Sequence, residues 1–159
     1  MRVIGLDPGL RKTGFGIIES ENNKLKYITS GVISTVGKNN ALDYRLKIIV
    51  DSLGDIIKEY NPTFACIEKV FVNMNPQGTL LLGQARGAII ASCIMHGLNI
   101  SEYSALQIKK SVVGYGHADK NQVATMVCHL LSLEGFLQSD SADALAAAIT
   151  HFFHFKHHY

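Results

Sequence analysis

Four carboxylates stand where a chain would deliver side chains to a shared site. Asp7 closes the apolar run I-G-L-D directly before Pro8-Gly9, so its side chain arrives where the backbone must turn. Glu68 ends a second apolar run, A-C-I-E, in the same way. Asp140 and Asp143 lie three residues apart at the start of a helical stretch, which puts both on one face. Each has an ordinary reading alone: a turn aspartate, a solvated strand-end glutamate, and an N-cap with an acid at N3. Their conjunction suggests more. Acids converging at one sheet edge repel one another and rise in pKa. Hard divalent cations relieve that repulsion, and an all-oxygen site suits Mg²⁺ or Mn²⁺. Two such ions activate a water and stabilise the leaving oxygen in phosphodiester hydrolysis. The expected chemistry is metal-assisted phosphoryl transfer.

The elements that must position these groups follow from periodicity. Residues 2–8, 12–19 and 25–34 read as successive strands with a turn at 21–23. Leu42, Leu46, Ile49, Leu53, Ile56 and Ile57 recur at helical spacing up to Asn61-Pro62. A buried strand over 63–68 follows, then an apolar helix over 76–97, a short strand over 99–103, and helices over 104–112, 119–133 and 140–154. The stretch 109–120, K-K-S-V-V-G-Y-G-H-A-D-K, reads mainly as a loop because of its two glycines. This order predicts an α/β fold, a mixed sheet flanked by α-helices. Glycines at 5, 9, 14 and 16 permit close approach of backbone or ligand around Asp7. The helix 76–97 is apolar nearly all round, more than one buried face requires, and a dimer contact is the preferred reading.

Five segments in order resemble one family. I-G-L-D-P-G-L-R-K-T-G at the start, I-E-K-V-F at 67–71, L-G-Q-A-R-G at 82–87, V-V-G-Y-G-H-A-D-K at 112–120 and D-S-A-D-A-L-A at 140–146 are similar to RuvC, the bacterial Holliday-junction resolvases. The resemblance implies an RNase H-like fold with a five-stranded mixed β-sheet, a homodimer, and paired nicks in four-way junction DNA. It also implies two Mg²⁺ ions per site, with Mn²⁺ as a substitute, and partnership with the RuvA–RuvB branch-migration machinery. On matching positions, Asp7, Glu68, Asp140 and Asp143 would be the catalytic metal ligands. Phe71 would lie against bases at the opened crossover, a stacking contact of about 1–3 kcal/mol. Lys109 and Lys120 would sit near the DNA and the scissile phosphate, where binding is salt-dependent. Two positions depart from the family pattern. Lys69 replaces a usual Gln or Glu, and strand alternation predicts that it faces away from the metals. Ser141 replaces a frequent Ala.

The bulk composition bounds the rest. The 159 residues suit a single domain spanning 1–159, and 47% hydrophobic with 18% charged residues argues for a folded globule. Apolar runs are interrupted by Gln84, Arg86 and Gly87, or by Asp51 and Asp55, so no membrane span of roughly 20 residues is expected. The start M-R-V-I-G-L-D-P-G lacks the layout of a secretory signal, and three scattered cysteines without CxxC spacing fit reduced thiols; a cytoplasmic location is expected. The net charge of +2 leaves the partner open. The histidine-rich tail, H-F-F-H-F-K-H-H-Y, reads as a helix end with an irregular tail rather than a metal site. Three rival functions remain: a non-catalytic junction binder, an actin-like ATPase (for which the chain is short), and a related nuclease with another substrate.

Overall fold

The structure is a computed structural model that describes residues 1–37, 39–72 and 74–156. Its elements in chain order are β1 (Arg2–Asp7), β2 (Lys12–Glu21), β3 (Lys24–Ser34), α1 (Leu42–Tyr60), β4 (Phe64–Glu68), α2 (Pro76–Met95), β5 (Asn99–Tyr103), α3 (Ala105–Val113), α4 (Lys120–Leu130) and α5 (Ser139–Lys156). The strands form one sheet in the order β3-β2-β1-β4-β5. β1, β2 and β3 pair antiparallel, whereas β4 runs parallel to β1 and to β5. The β2–β3 hairpin closes on Asn22 and Asn23, both at positive φ (49° and 63°), as a right-twisted two-residue turn requires.

The two sheet faces follow from the period-2 alternation of the strands. Ile4, Leu6, Ile17, Ala65 and Ile67 face one core, completed by Ile49 and Leu53 of α1 and by Ala85 and Ile89 of α2. Val3, Ile18 and Cys66 face the other core, with Leu145 and Ile149 of α5, Val123 and Val127 of α4, and Ile108 of α3. Counting onward by twos, Asp7 shares the face of Val3, and Glu68 shares the face of Cys66. Both acids therefore end their strands on the α5 side.

Helix α5 lies almost against the strands. A Cβ built on Gly5 would stand 1.8 Å from the Ala144 carbonyl oxygen, and one on Gly14 would stand 2.1 Å from that of Asp140. No residue but glycine fits under those carbonyls. The glycines singled out in the sequence thus make room for a helix. Ser141 is buried and ties the start of α5 to β3, its hydroxyl donating to the Gly31 carbonyl at 3.1 Å.

Several boundaries differ from expectation. β1 stops at Asp7, since Pro8 has no N–H for the ladder. Residues Lys109–Val113 belong to α3, which ends at Gly114 in the left-handed region, so the loop is confined to 114–119. α4 ends at Leu130, and Ser132 adopts φ 52° just beyond it. α5 begins at Ser139, so Asp140 lies inside its first turn and is not the N-cap. The interruptions in α2 do not shorten it: it runs for 20 residues at a mean hydropathy of 1.3, enough by length and composition to cross a membrane. Here its inner residues Ala85, Ile89 and Cys93 pack into the core, and Arg86 is ion-paired with Glu102. Leu80, Ile94 and Met95 are exposed. The cysteines are all free, with Cys66 and Cys93 buried. Burial pushes the Cys93 thiol up to about 12 and Cys66 higher, so neither is a ready nucleophile.

Candidate active site

β1 and β4 run parallel and in register, Leu6 beside Ile67, so Asp7 and Glu68 leave the sheet side by side at its carboxyl edge. Asp143, one turn into α5, joins them from above. The three line a cleft of about 420 Å³ together with Lys69, Phe71, Lys109 and Lys120, walled by Leu82, Ile108, Val123 and Ala146. Asp140 does not line this cleft. It rests on Gly14, the residue paired with Asp7, and acts on Asp7 through its charge.

The charges in this cleft oppose one another. Burial, and after it repulsion from Asp143, Asp140 and Glu68, raises the Asp7 carboxyl to about 7 against the pull of Lys120. Glu68 is raised by burial and then by Asp143, while Lys109 and Lys120 draw it down. Lys120 is held above the usual lysine range by Asp143, to whose Oδ2 its Nζ donates at 3.2 Å. A lysine at the first position of a helix opposes the helix dipole. Here the Asp119–Gln122 capping box fixes that end of α4, and Asp143 supplies the compensating charge.

Among the described residues, no three His, Cys, Asp or Glu side chains already surround a common point. The acids form a charge-coupled set rather than a closed ligand cage. Their donors are all hard oxygens, and Asp7 and Glu68 are both pushed toward protonation by burial and mutual repulsion. A divalent cation between them would remove that repulsion, so the residue set fits a Mg²⁺-class ion.

The other expected residues divide. Phe71 is 72% exposed at the mouth of the cleft, beside exposed Val70, Val72 and Met74. Lys109 and Lys120 both line the cleft, but Lys110 lies in a separate groove with Leu106, Ser111, Phe153 and His154. Lys69 does not face away as strand alternation predicted. β4 ends at Glu68, alternation lapses there, and Lys69 lines the cleft. Sequence reasoning also missed Arg86, whose Nε donates to the Glu68 carbonyl at 3.4 Å and so fastens the end of β4 to α2. A positive residue within an otherwise apolar helix was the available signal. In the tail, His151 is buried with Nδ1 3.0 Å from the Tyr103 hydroxyl, and His154 stacks on Tyr103. His157, His158 and Tyr159 lie outside the described residues.

The family described as crossover junction endodeoxyribonuclease RuvC matches residues 3–151. The chain belongs to the RuvC family. A RuvC from Methylobacillus flagellatus is 58% identical over 154 residues, covering 94% of this chain and 86% of the relative. The structure of T. thermophilus RuvC in complex with a Holliday junction substrate superposes with a TM-score of 0.92 at 28% identity, covering 99% of this chain and 96% of that one. The yeast mitochondrial Holliday junction resolvase superposes at a TM-score of 0.63 and 15% identity, covering 98% and 82%, a likeness of fold alone. The five-stranded mixed sheet is thus that of the RNase H-like resolvases. RuvC membership makes the chain an endonuclease, and dependence on divalent metal is general to the family.

Proposed function

We propose that this chain resolves four-way (Holliday) DNA junctions by paired, symmetric nicks, with Asp7, Glu68, Asp140 and Asp143 holding two Mg²⁺ ions in each active site. The observation that carries the reading is the convergence of Asp7, Glu68 and Asp143 with Lys109 and Lys120 in one cleft. The likeness to T. thermophilus RuvC in complex with a Holliday junction substrate supports the choice of DNA. Bound ions would supply an activated water and neutralise charge on the scissile phosphate, leaving 5′-phosphate and 3′-hydroxyl ends. Mn²⁺ substitutes, since the donor set is all oxygen.

The chain's own residues do the positioning. Asp7 and Glu68 present their oxygens from adjacent strand ends, and Asp140 and Asp143 present theirs from α5. Lys120 anchors Asp143, and Lys109 offsets the charge of Glu68 while facing the phosphate backbone. Phe71 packs on a base at the opened crossover. Its exposure at the cleft mouth supports that role.

The nuclease acts as a single domain over residues 1–159, a reading supported by one sheet carrying both cores. Two copies associate through α2, whose exposed Leu80, Gly83, Gly87, Ala91 and Ile94 form a stripe of apolar and small residues. Gly83 and Gly87 have nothing within 4 Å of a Cβ position, so a partner helix has room to approach closely. The compartment is the cytoplasm, and the RuvA–RuvB machinery is the cognate partner. The deciding experiment is Asp7→Asn. It abolishes junction cleavage in Mg²⁺ and leaves junction affinity within a fewfold; retained cleavage would overturn the metal assignment.

A further inference from the structure

A second groove adjoins the active site on the far side of the α5 start. It has a volume of about 540 Å³ and is bounded by β3 and the turn joining α4 to α5. One wall holds Lys12, Ser30 and Ser34, and the other holds Phe136, Gln138 and Ser141. It shares no lining residue with the carboxylate cleft but lies at the same end of the sheet, since Lys12 precedes Gly14, the partner of Asp7, by two residues and Ser141 follows Asp140.

The chemistry of the lining is suited to a polyanion. Lys12 is exposed and forms no ion pair among the described residues. The Ser34 oxygen accepts the Val36 N–H at 3.3 Å, which leaves its own proton to donate. Ser30 shares a hydrogen bond with the Tyr27 hydroxyl at 3.0 Å. No carboxylate lines the groove; Glu134, in the same turn, is outside it.

Phe136 is the unexpected member. It is 93% exposed, yet its surroundings are anchored: Leu133 and Leu137 pack against the core, and Leu133 N–H donates to the Cys128 carbonyl at 2.9 Å. Gly135, at φ 98°, turns the chain between them. A fixed turn that spends its two leucines inward and holds a phenylalanine outward presents a stacking surface.

We propose that this groove is a second DNA-backbone site, in which Lys12 binds a phosphate and Phe136 packs on an adjoining sugar or base of the strand leaving the carboxylates. The inference rests on the nuclease reading. Its place at the carboxylate end of the sheet and the cationic, hydroxyl-bearing lining favour DNA over a second protein copy.

The chain contains no tryptophan, so Phe136→Trp installs a unique reporter. Its emission is followed as a labelled four-way junction, and separately a linear duplex, is added in EDTA, with wild-type cleavage measured in Mg²⁺ in parallel. The expected result is quenching that saturates with binding. Unchanged emission at saturating DNA would overturn the proposal, as would a change driven by protein concentration alone, which would assign the groove to a second copy. Lys12→Gln provides an independent readout should the tryptophan variant fold poorly. The slope of log K against log salt should fall by about 0.9 and affinity by about three- to tenfold; an unchanged slope overturns the phosphate contact. Absence of wild-type junction cleavage would sink the nuclease reading instead, and the groove would still be judged from DNA binding.

Discussion

Asp7 occupies a position that no isolated carboxylate would choose. Its pKa, raised from 3.8 to about 7, means that the fold prefers it protonated. The sign follows: the unfolded chain releases this proton first. The cost to the metal-free fold sets in as pH rises past the ordinary value, is complete above about pH 7, and vanishes below the ordinary value. Asp7→Asn should therefore raise the melting temperature in EDTA at pH 8, by an equivalent of about 4 kcal/mol at most, and leave it unchanged near pH 3. Thermal melts at the two pH values check this, and a uniform shift would contradict it. Mg²⁺ should stabilise the wild type more than the variant, because stabilisation by a ligand of the native state grows with the logarithm of its affinity. At this scale the sequence was partly legible. Asp7 and Glu68 stood out because apolar runs ended on them. The exposure of Phe71 was expected only through the family resemblance, since the residues V-F-V alone favour a core phenylalanine. Lys69 was misplaced because strand alternation was carried one residue beyond the strand's end. The helix expected over 104–112 did not by itself show that Lys109 and Lys110 enter different grooves.

Among the elements, α5 sets the geometry, and its seat is the glycine-lined surface of β1 and β2. Gly14→Ala forces a Cβ into the Asp140 carbonyl, and α5 must lift from the sheet. Overpacking of this kind costs about 3 kcal/mol or more, readable in urea unfolding. Cleavage should fall further than stability, because Asp140 and Asp143 ride on the same helix. Gly87→Ala, where a Cβ meets nothing within the chain, should leave the monomer's stability unreduced. The elements were the most legible part of the sequence. Alternation, the Asn-Asn turn and Asn61-Pro62 marked most strands and helices. Gly114 marked the end of α3 to within a residue. The end of α4 was less clear, because Ser132 turns the chain through left-handed geometry that a serine does not advertise.

For the whole molecule, the proposed dimer would bring two sites to one junction. If α2 is the contact, replacing Ile94, exposed at the C-terminal end of the stripe, with glutamate places a charge within it. Ile94→Glu should give a monomer by sedimentation equilibrium and convert paired nicks into single, uncoordinated ones on a synthetic junction. A dimer that persists would move the interface elsewhere. The sequence hinted at this face because α2 was apolar all round. It did not show which side stayed exposed, since that depends on where α1 and the sheet lie.

The glycine seat also divides the site into parts of unequal freedom. β1, β2 and α5 meet at contacts too close to slide, so Asp7, Asp140 and Asp143 belong to one stiff jaw. Glu68 stands beside them on β4, a strand with no such glycine seat. Its end is held by pairing with β5, the Lys69 N–H donating to the Tyr103 carbonyl at 2.8 Å, and by the longer bond from Arg86. Whatever adjustment a distorted DNA strand demands must be absorbed there. Variants that retune metal spacing will be found around Glu68 and Arg86, while the α5 side will tolerate almost none.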